Sequence, residues 1–266
     1  MMEADVLREL LDTVKDIAIA AGEAILKVSA EGTDVQTKED GSPLTRADMA
    51  SHRTIESGLK QLEPMLPIVS EEGNPENMAL DNLKTFWLID PLDGTKEFVK
   101  GLDEYTVNIA LVEDGEPILG VIYVPVSGTL YYAAKGLGVW KAEKDKEAQR
   151  INATDADRPC KAVVSRSHLS HETEEFLSRV GVQDVIRHGS SLKMCAVAEG
   201  AADIYPRFGP TCLWDTGAGT AIATEAGCRV VDLKGKPLSY NPVDGLKQYG
   251  FIVYPKKQTA FLEQLI

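Results

Sequence analysis

The residues of this sequence best suited to chemistry stand in WLIDPLDGTKEF, residues 87–98. Residues 86–89 read as a buried strand, and a carboxylate, Asp90, appears at its end. Pro91 has no N–H and blocks further ladder pairing at once. A second carboxylate, Asp93, follows beside a turn-making Gly94 and a hydroxyl, Thr95. On a regular strand two acids three apart face opposite ways, but across a Pro-Leu kink they can converge on one point. Hard oxygen ligands of this kind suit Mg²⁺, which keeps several waters and takes its other ligands from carboxylates and phosphates. The carbonyl of Leu92 can join them. Gly94 and Thr95 then open a helical pattern whose free N–H groups suit a phosphate. A capped Asp-Gly turn with Thr95 as helix start explains the segment equally well, and the segment alone does not choose.

Other acids occupy comparable places. Glu71 and Glu72 follow the short apolar run IVS and so stand at a strand mouth; for Glu72 a solvated place in the polar loop EEGNPEN is the better reading. Asp215, in CLWDTGAG, lies where an apolar stretch gives way to a helix, in competition with a plain N-cap. Asp48, in LTRADMA, lies near the start of its own helix, where a dipole-favoured surface acid is the competing reading. None of these acids is specific by itself.

The elements that must hold these acids alternate along the chain. Val6, Leu7, Leu10, Leu11, Val14, Ile17, Ala18, Ala21 and Ile25 recur at three- and four-residue intervals, which predicts a long amphipathic helix ending near Glu31 and Gly32. The turn-rich KEDGSPLT leads to a second helical pattern over 46–62, closed by Pro64 and Pro67, and PIVSEE reads as a short strand ending in acids. Beyond the opening motif, strands over 105–112 and 117–124 meet at Asp114-Gly115, a strong hairpin signal. Short strands follow over 130–134 and 138–141. The most polar stretch, KAEKDKEAQR at 141–150, marks a subdomain junction. It divides residues 1–145, which carry most of the acids, from 146–266, which carry Asp215. In the second part, strands over 162–165 and 184–187 flank a helix over 171–180. Helices over 192–199 and 216–226, strands over 229–232 and 251–254, and a C-terminal helix complete a mixed α/β chain.

Composition narrows the partners. The 266 residues suffice for one large domain or two small ones, and 44% hydrophobic with 26% charged residues is ordinary globular material. No apolar run approaches the length of a membrane helix, VNIALV being typical, and MMEADVLREL lacks a signal-peptide pattern. A cytoplasmic protein is expected, with peripheral association at the inner membrane left open. A net charge of −13, from 41 acids against 28 bases and with no basic cluster, argues against a nucleic-acid polymer. A small anion remains suitable where bound metal ions reverse the local potential. Cys160, Cys195, Cys212 and Cys228 lie far apart in small or apolar surroundings, so buried free thiols are expected. No EF-hand spacing occurs.

Taken in order and spacing, SPLTRAD, VSEEG, WLIDPLDGTKEF and LWDTGAG resemble the inositol monophosphatase superfamily of Mg²⁺-dependent, often lithium-sensitive phosphatases, over essentially the whole chain. Within it, TKEF, SRSH at 165–168, GSSLKMCAVAEG and YPRFGPTCLWD are similar to the CysQ-type 3'(2'),5'-bisphosphate nucleotidases. Those enzymes convert adenosine 3',5'-bisphosphate (PAP) to AMP. Inositol monophosphatases commonly have T-N-F where Thr95-Lys96-Glu97-Phe98 stands, and a Glu, used for inositol hydroxyls, where this chain has Arg207. An Arg cannot accept a hydroxyl proton but forks onto phosphate oxygens, which argues for a more anionic substrate.

The resemblance implies a layered α-β-α-β-α sandwich. It implies Glu71, Asp90, the Leu92 carbonyl, Asp93 and Asp215 as ligands of two or three Mg²⁺ ions, with Asp90 as a bridge between two of them. Asp48 and Thr95, with Glu71, correspond to the groups that orient and deprotonate the attacking water. Gly94 and Thr95 correspond to the amides at the scissile phosphate, beside Asp93 and Asp215. On the nucleotide side the matches are Ser165, His168, Gly189, Ser190 and Lys193, with Arg207 a further candidate. The implied reaction is direct in-line attack of water on phosphorus, with Asp93 held as a ligand and no phosphoenzyme formed. The implied partner is a small phosphorylated nucleotide, PAP or its sulfated relative PAPS, and the chain is expected as monomer or homodimer.

Plainer readings compete on the nucleotide side: a helix-start or surface histidine for His168, a solvated helix residue for Lys193 and a strand-end hydroxyl for Ser165. Lys96, Glu97 and Lys100 read as solvated helix charges, and Gly136 and Gly138 as turn glycines. Two rival functions follow. One is a phosphatase of the same architecture acting on inositol phosphates or fructose 1,6-bisphosphate. The other is a non-catalytic, metal-dependent sensor of phosphorylated nucleotides, which would not require both Asp48 and Thr95.

Overall fold

The computed structural model describes residues 2–32, 35–37, 43–73, 80, 83–166 and 169–265. The helical period of the N-terminus becomes α1 (Ala4–Glu31), which buries Leu7, Leu10, Leu11, Val14, Ile17, Ala18, Ala21 and Ile25 along one stripe. A short hairpin, β1 (Val35–Thr37) and β2 (Pro43–Thr45), leads into α2 (Arg46–Leu59). A seven-stranded sheet follows in sequential order. It comprises β3 (Ile68–Ser70), β4 (Thr85–Asp93), then, after the short helix α3 (Thr95–Val99), β5 (Thr106–Glu113), β6 (Glu116–Val124), β7 (Thr129–Ala134), β8 (Gly138–Ala142) and β9 (Gln149–Arg150). Only β3 with β4 is a parallel pair; the other neighbours are antiparallel. The hairpin expected at Asp114-Gly115 joins β5 to β6, with both turn residues at positive φ. The polar stretch 141–150 is spanned by the pairing of β8 with β9.

The rest of the chain comprises β10 (Lys161–Ser165), α4 (His171–Val180), β11 (Asp184–His188), α5 (Leu192–Ala198), β12 (Tyr205–Arg207), β13 (Thr211–Cys212), α6 (Leu213–Glu225), β14 (Cys228–Val231), β15 (Lys247–Gln248), β16 (Phe251–Pro255) and α7 (Thr259–Leu262). β10 and β11 form a parallel ribbon, β12-β16-β14 an antiparallel sheet, and β13 pairs with β15.

The layers follow from which faces are apolar. Trp87, Ile89, Val107, Ile109 and Leu111 pack with the buried stripe of α1 and with Ile55 and Leu59 of α2. On the opposite sheet face Phe86, Leu88, Ala110 and Val112 meet Leu213, Ala218 and Ile222 of α6 and Cys195 of α5. Beyond those helices, Met194, Val197 and Ala223 pack on Val163, Tyr205, Val230 and Val253. The outer face of these strands is covered by Phe176, Leu177 and Val180 of α4 and Leu262 of α7. The order α-β-α-β-α is the layered sandwich expected. No helix among the described residues is long and apolar enough to cross a membrane.

Three local expectations are corrected. Pro91 does not end its strand: β4 bulges past it and pairs again at Asp93. The last long helix starts at Leu213 instead of residue 216, because Leu213 and Trp214 bury as part of its first turn. Cys160 is exposed, whereas Cys195 and Cys228 are buried and Cys212 half-buried. It sits in the turn before β10, where its main-chain N–H, not its thiol, is tied inward to Asp203.

Candidate active site

The bulge in β4 converts two acids of one strand into a convergent pair. Asp90 stands opposite Asn108 and Asp93 opposite Thr106, so three steps on β4 match two on β5. The extra residue is absorbed at Pro91-Leu92, where the Pro91 carbonyl accepts from Ser51 Oγ at 2.6 Å and the Leu92 N–H donates to Asp90 Oδ1 at 3.0 Å. Asp90 is 2% exposed. Burial, then repulsion from Glu71, Asp93 and Asp215, holds its carboxyl well above the usual carboxylate range.

Asp215 lies in the first turn of α6, where its Oδ2 accepts the Cys212 N–H at 2.9 Å and the Thr211 hydroxyl. Burial and then the nearby Asp93 push its pKa up to about 6. Asp93 Oδ2 receives Ser190 Oγ at 2.7 Å, Ser191 Oγ at 2.8 Å and Asn108 Nδ2 at 3.4 Å. Glu71 opens the single 3-10 turn Glu71–Gly73 directly after β3. The preceding Ser70 Oγ is anchored by His52 Nδ1 at 2.9 Å.

Asp48 is buried in the capping box of α2. Its Oδ2 accepts from Thr45 N at 2.7 Å and Thr45 Oγ1 at 2.6 Å, and its Oδ1 from Thr95 Oγ1 at 3.0 Å. The same Thr95 hydroxyl is 3.1 Å from the Leu92 carbonyl. A hydroxyl has one proton to donate and lone pairs to accept with, so the Thr95 proton has two acceptors in reach, the Asp48 carboxylate and the Leu92 carbonyl.

A cleft of about 150 Å³ is lined by Asp93, Gly94, Ser165, Ser190, Lys193, Arg207 and Asp215, among others. Lys193 is only 5% exposed; its Nζ donates to the Ser190 carbonyl and lies 5.6 Å from the centre of the Tyr205 ring. Arg207 donates from Nη2 to the Pro210 carbonyl at 2.7 Å, and its buried Nε has no hydrogen-bond partner among the described residues. Burial disfavours the charged guanidinium, but Tyr205, Asp215 and Asp93 outweigh it and raise its pKa.

A model of the inositol monophosphatase family matches residues 6–264. The chain belongs to that family. The 3'(2'),5'-bisphosphate nucleotidase CysQ of Escherichia coli K12 is 49% identical over 247 residues, covering 92% of this chain and 99% of that protein. The crystal structure of CysQ from Bacteroides thetaiotaomicron superposes with a TM-score of 0.81 at 41% identity, covering 93% of this chain and 97% of that one. An inositol monophosphatase from Anabaena shares the fold at 24% identity, with a TM-score of 0.74 over 97% of this chain and 95% of that one.

Enzymes of the inositol monophosphatase family depend on a metal, typically Mg²⁺, and the donors present suit that ion. All are hard oxygens. The hydrogen bonds made to Asp93 and Asp215 among the described residues all use Oδ2, which leaves Oδ1 of each for a cation. Among the described residues no group of three or more His, Cys, Asp or Glu stands close enough to hold a metal ion as it is. The acids are nevertheless near enough to raise the pKa values of Asp90 and Asp215 together, a cost that a bound cation removes.

The fold therefore gathers Asp90, Asp93 and Asp215, brings Thr95 onto Asp48, and sets Gly94, Ser165, Ser190, Lys193 and Arg207 around one cleft. Gly189 is not in the cleft wall: a Cβ there would stand 3.0 Å from the Glu104 carbonyl, which explains the glycine by packing. His168 lies outside the described residues. Lys193 is not a solvated helix residue and Asp48 is not a surface acid. Lys96 and Lys100 are exposed as solvated helix charges, Glu97 is half-buried, and Lys96 and Glu97 also border the cleft. Sequence reasoning missed Thr106, Asn108, Ser191, Tyr205 and Glu104. The first two carried a signal, being polar at alternate positions of the apolar run TVNIALV and so sharing one face.

Proposed function

We propose that this chain hydrolyses the 3'-phosphate of adenosine 3',5'-bisphosphate to give AMP and phosphate, as a Mg²⁺-dependent 3'(2'),5'-bisphosphate nucleotidase. The observation that carries this is that the acids Asp93 and Asp215 and the cations Lys193 and Arg207 line one cleft. A substrate with two phosphates suits a cleft that offers both acids and cations, and the name of the Escherichia coli relative supports the same substrate class.

Glu71, Asp90, the Leu92 carbonyl, Asp93 and Asp215 would hold two or three Mg²⁺ ions. When bound, Mg²⁺ lowers the pKa of water and offsets charge on phosphate oxygens. The chain's own residues supply the rest. Thr95 Oγ1 donates to Asp48 Oδ1 and so presents a lone pair to the attacking water; as the water's proton passes to Thr95, the Thr95 proton passes to Asp48, and the departing 3'-oxygen takes a proton from solvent water. The main-chain N–H groups of Gly94 and Thr95 bind the scissile phosphate. Lys193, Arg207, Ser165 and Ser190 bind the remainder of the nucleotide.

Phosphate release from PAP, inositol 1-phosphate and fructose 1,6-bisphosphate, measured side by side with and without Mg²⁺ and with added Li⁺, tests the proposal. PAP is expected to be preferred, with turnover abolished without Mg²⁺ and reduced by Li⁺. A preference for inositol 1-phosphate would overturn the substrate and leave the metal site standing.

A further inference from the structure

Glu104 stands in the loop between α3 and β5 and is not itself in the cleft wall. Its side chain is 19% exposed, and its carboxylate gathers donors from three residues of the β10-β11 ribbon and the turn after it. Oε2 accepts from Arg166 Nε at 2.6 Å and from the Gly189 N–H at 2.9 Å. Oε1 accepts from Arg166 Nη2 at 2.7 Å and lies 3.3 Å from His188 Nδ1. A two-point Arg–carboxylate contact is both strong and directional. Arg166 follows β10 and His188 ends β11, where Ser165 and His188 are register partners.

The backbone closes the same contact. The Glu104 carbonyl sits between Gly94 and Gly189, where a Cβ would come to 3.1 Å and 3.0 Å of it respectively. Directly after Gly189, Ser190 has a φ of +50°, which a non-glycine residue holds only when its surroundings impose it. In that conformation Ser190 and Ser191 reach Asp93, and the Ser190 carbonyl receives Lys193.

The two serine hydroxyls also have anchors on β5: Ser190 Oγ is 2.6 Å from Thr106 Oγ1, and Ser191 Oγ accepts from Asn108 Nδ2 at 2.8 Å. Asp93 is thus tied from the sheet side without help from Glu104. By contrast, among the described residues the hydrogen bonds from Arg166, His188 and Gly189 to the 95–105 loop all end on Glu104. Its removal would loosen the wall that carries Ser165 and Lys193 more than the end that carries the acids.

We infer that Glu104 is a positioning residue that holds the cleft wall carrying Ser165 and Lys193 in place, and so governs affinity for a bisphosphate and not the chemical step. This rests on the nucleotidase activity proposed above.

The test compares wild type, Glu104→Ala and Glu104→Gln in saturating Mg²⁺, on PAP and on p-nitrophenyl phosphate, which has no second phosphate. Glu104→Ala is expected to raise KM for PAP about tenfold or more, while kcat on PAP and kcat/KM on p-nitrophenyl phosphate stay within about threefold. Glu104→Gln, which keeps one carbonyl acceptor, is expected to fall between. An equal loss of kcat on both substrates, or an unchanged KM for PAP in a variant that melts cooperatively, overturns the inference. Should Glu104→Ala not fold, Arg166→Ala opens the same pair from the other side and must raise KM for PAP; no rise overturns it. A wild-type protein that does not turn over PAP refutes the proposed function instead. Amide exchange over residues 188–193 then decides the clamp: faster exchange in Glu104→Gln supports it, and unchanged exchange overturns it.

Discussion

On the acid side of the cleft, Asp90 lies within a strand buried on both faces and Asp48 sits in the capping box of a fourteen-residue helix, so long elements packed in the core hold the chemistry. On the facing side, Ser165 ends a five-residue strand of a two-stranded ribbon and Arg207 ends a three-residue strand. Lys193 lies in the first turn of a seven-residue helix. There the bonds that fix position are made by side chains, from Glu104, Thr106 and Asn108. The difference teaches where change is cheap. Moving an acid requires remaking a core strand, whereas re-aiming the facing wall requires a few polar substitutions.

Asp90→Asn gives the strongest contrast. It removes the acid that all the others crowd, and kcat/KM for PAP is expected to fall by about 10³-fold or more, read by phosphate release. In EDTA the same variant is expected to melt higher than wild type, because a buried, repelled acid has become neutral. A lower melting temperature would mean that the acid side is not held under strain by its own charge. For the facing wall, the Glu104 variants described above are expected to move KM alone.

Thr95→Ala is expected to lower kcat by about 10²-fold with little effect on KM for PAP. Asp48→Asn should lower kcat similarly and also cost about 1 kcal/mol of stability, since an amide has one acceptor oxygen where Asp48 accepts from Thr45 on one oxygen and from Thr95 on the other. The double variant should be little worse in kcat than either single one, because the two act through one hydrogen bond. Additive losses in kcat would separate them.

The smallest effect is a pH dependence of opposite sign on the two sides. Asp215 titrates in the folded protein at about 6 and Asp90 also above its ordinary range, so between about pH 4 and 6 the folded state holds more protons than the unfolded one. In the metal-free protein that contribution therefore falls as pH rises through this window. Glu104, lowered to about 2 chiefly by its Arg166 hydrogen bond, behaves the other way. Its contribution is present above the ordinary glutamate pKa and is lost as pH falls towards 2. Mg²⁺ is accordingly expected to raise Tm by a few degrees more at pH 7.5 than at pH 5. An equal rise at both would break the comparison.

Much of this was legible in consecutive residues. The stripe of α1 could be read because burial on one helix face imposes a 3.6-residue period. The cluster Asp90-Pro91-Leu92-Asp93-Gly94-Thr95 could be read because proline and glycine constrain the backbone locally, and the apolar strand before them must be buried. Even there the proline was read as a stop, because a bulge depends on what the partner strand does.

By itself the sequence determined the main helices and strands and the family resemblance, since these rest on residue type and order along the chain. Only the tertiary structure decided which side chains are buried and what they touch. Lys193 reads as a surface lysine until the Ser190 carbonyl and the Tyr205 ring close over it. Glu104 has no signal in its own neighbourhood, because its partners lie 62 to 85 residues further along the chain. A carboxylate takes its meaning from the donors around it, and donors that far away in sequence are chosen by how the chain closes.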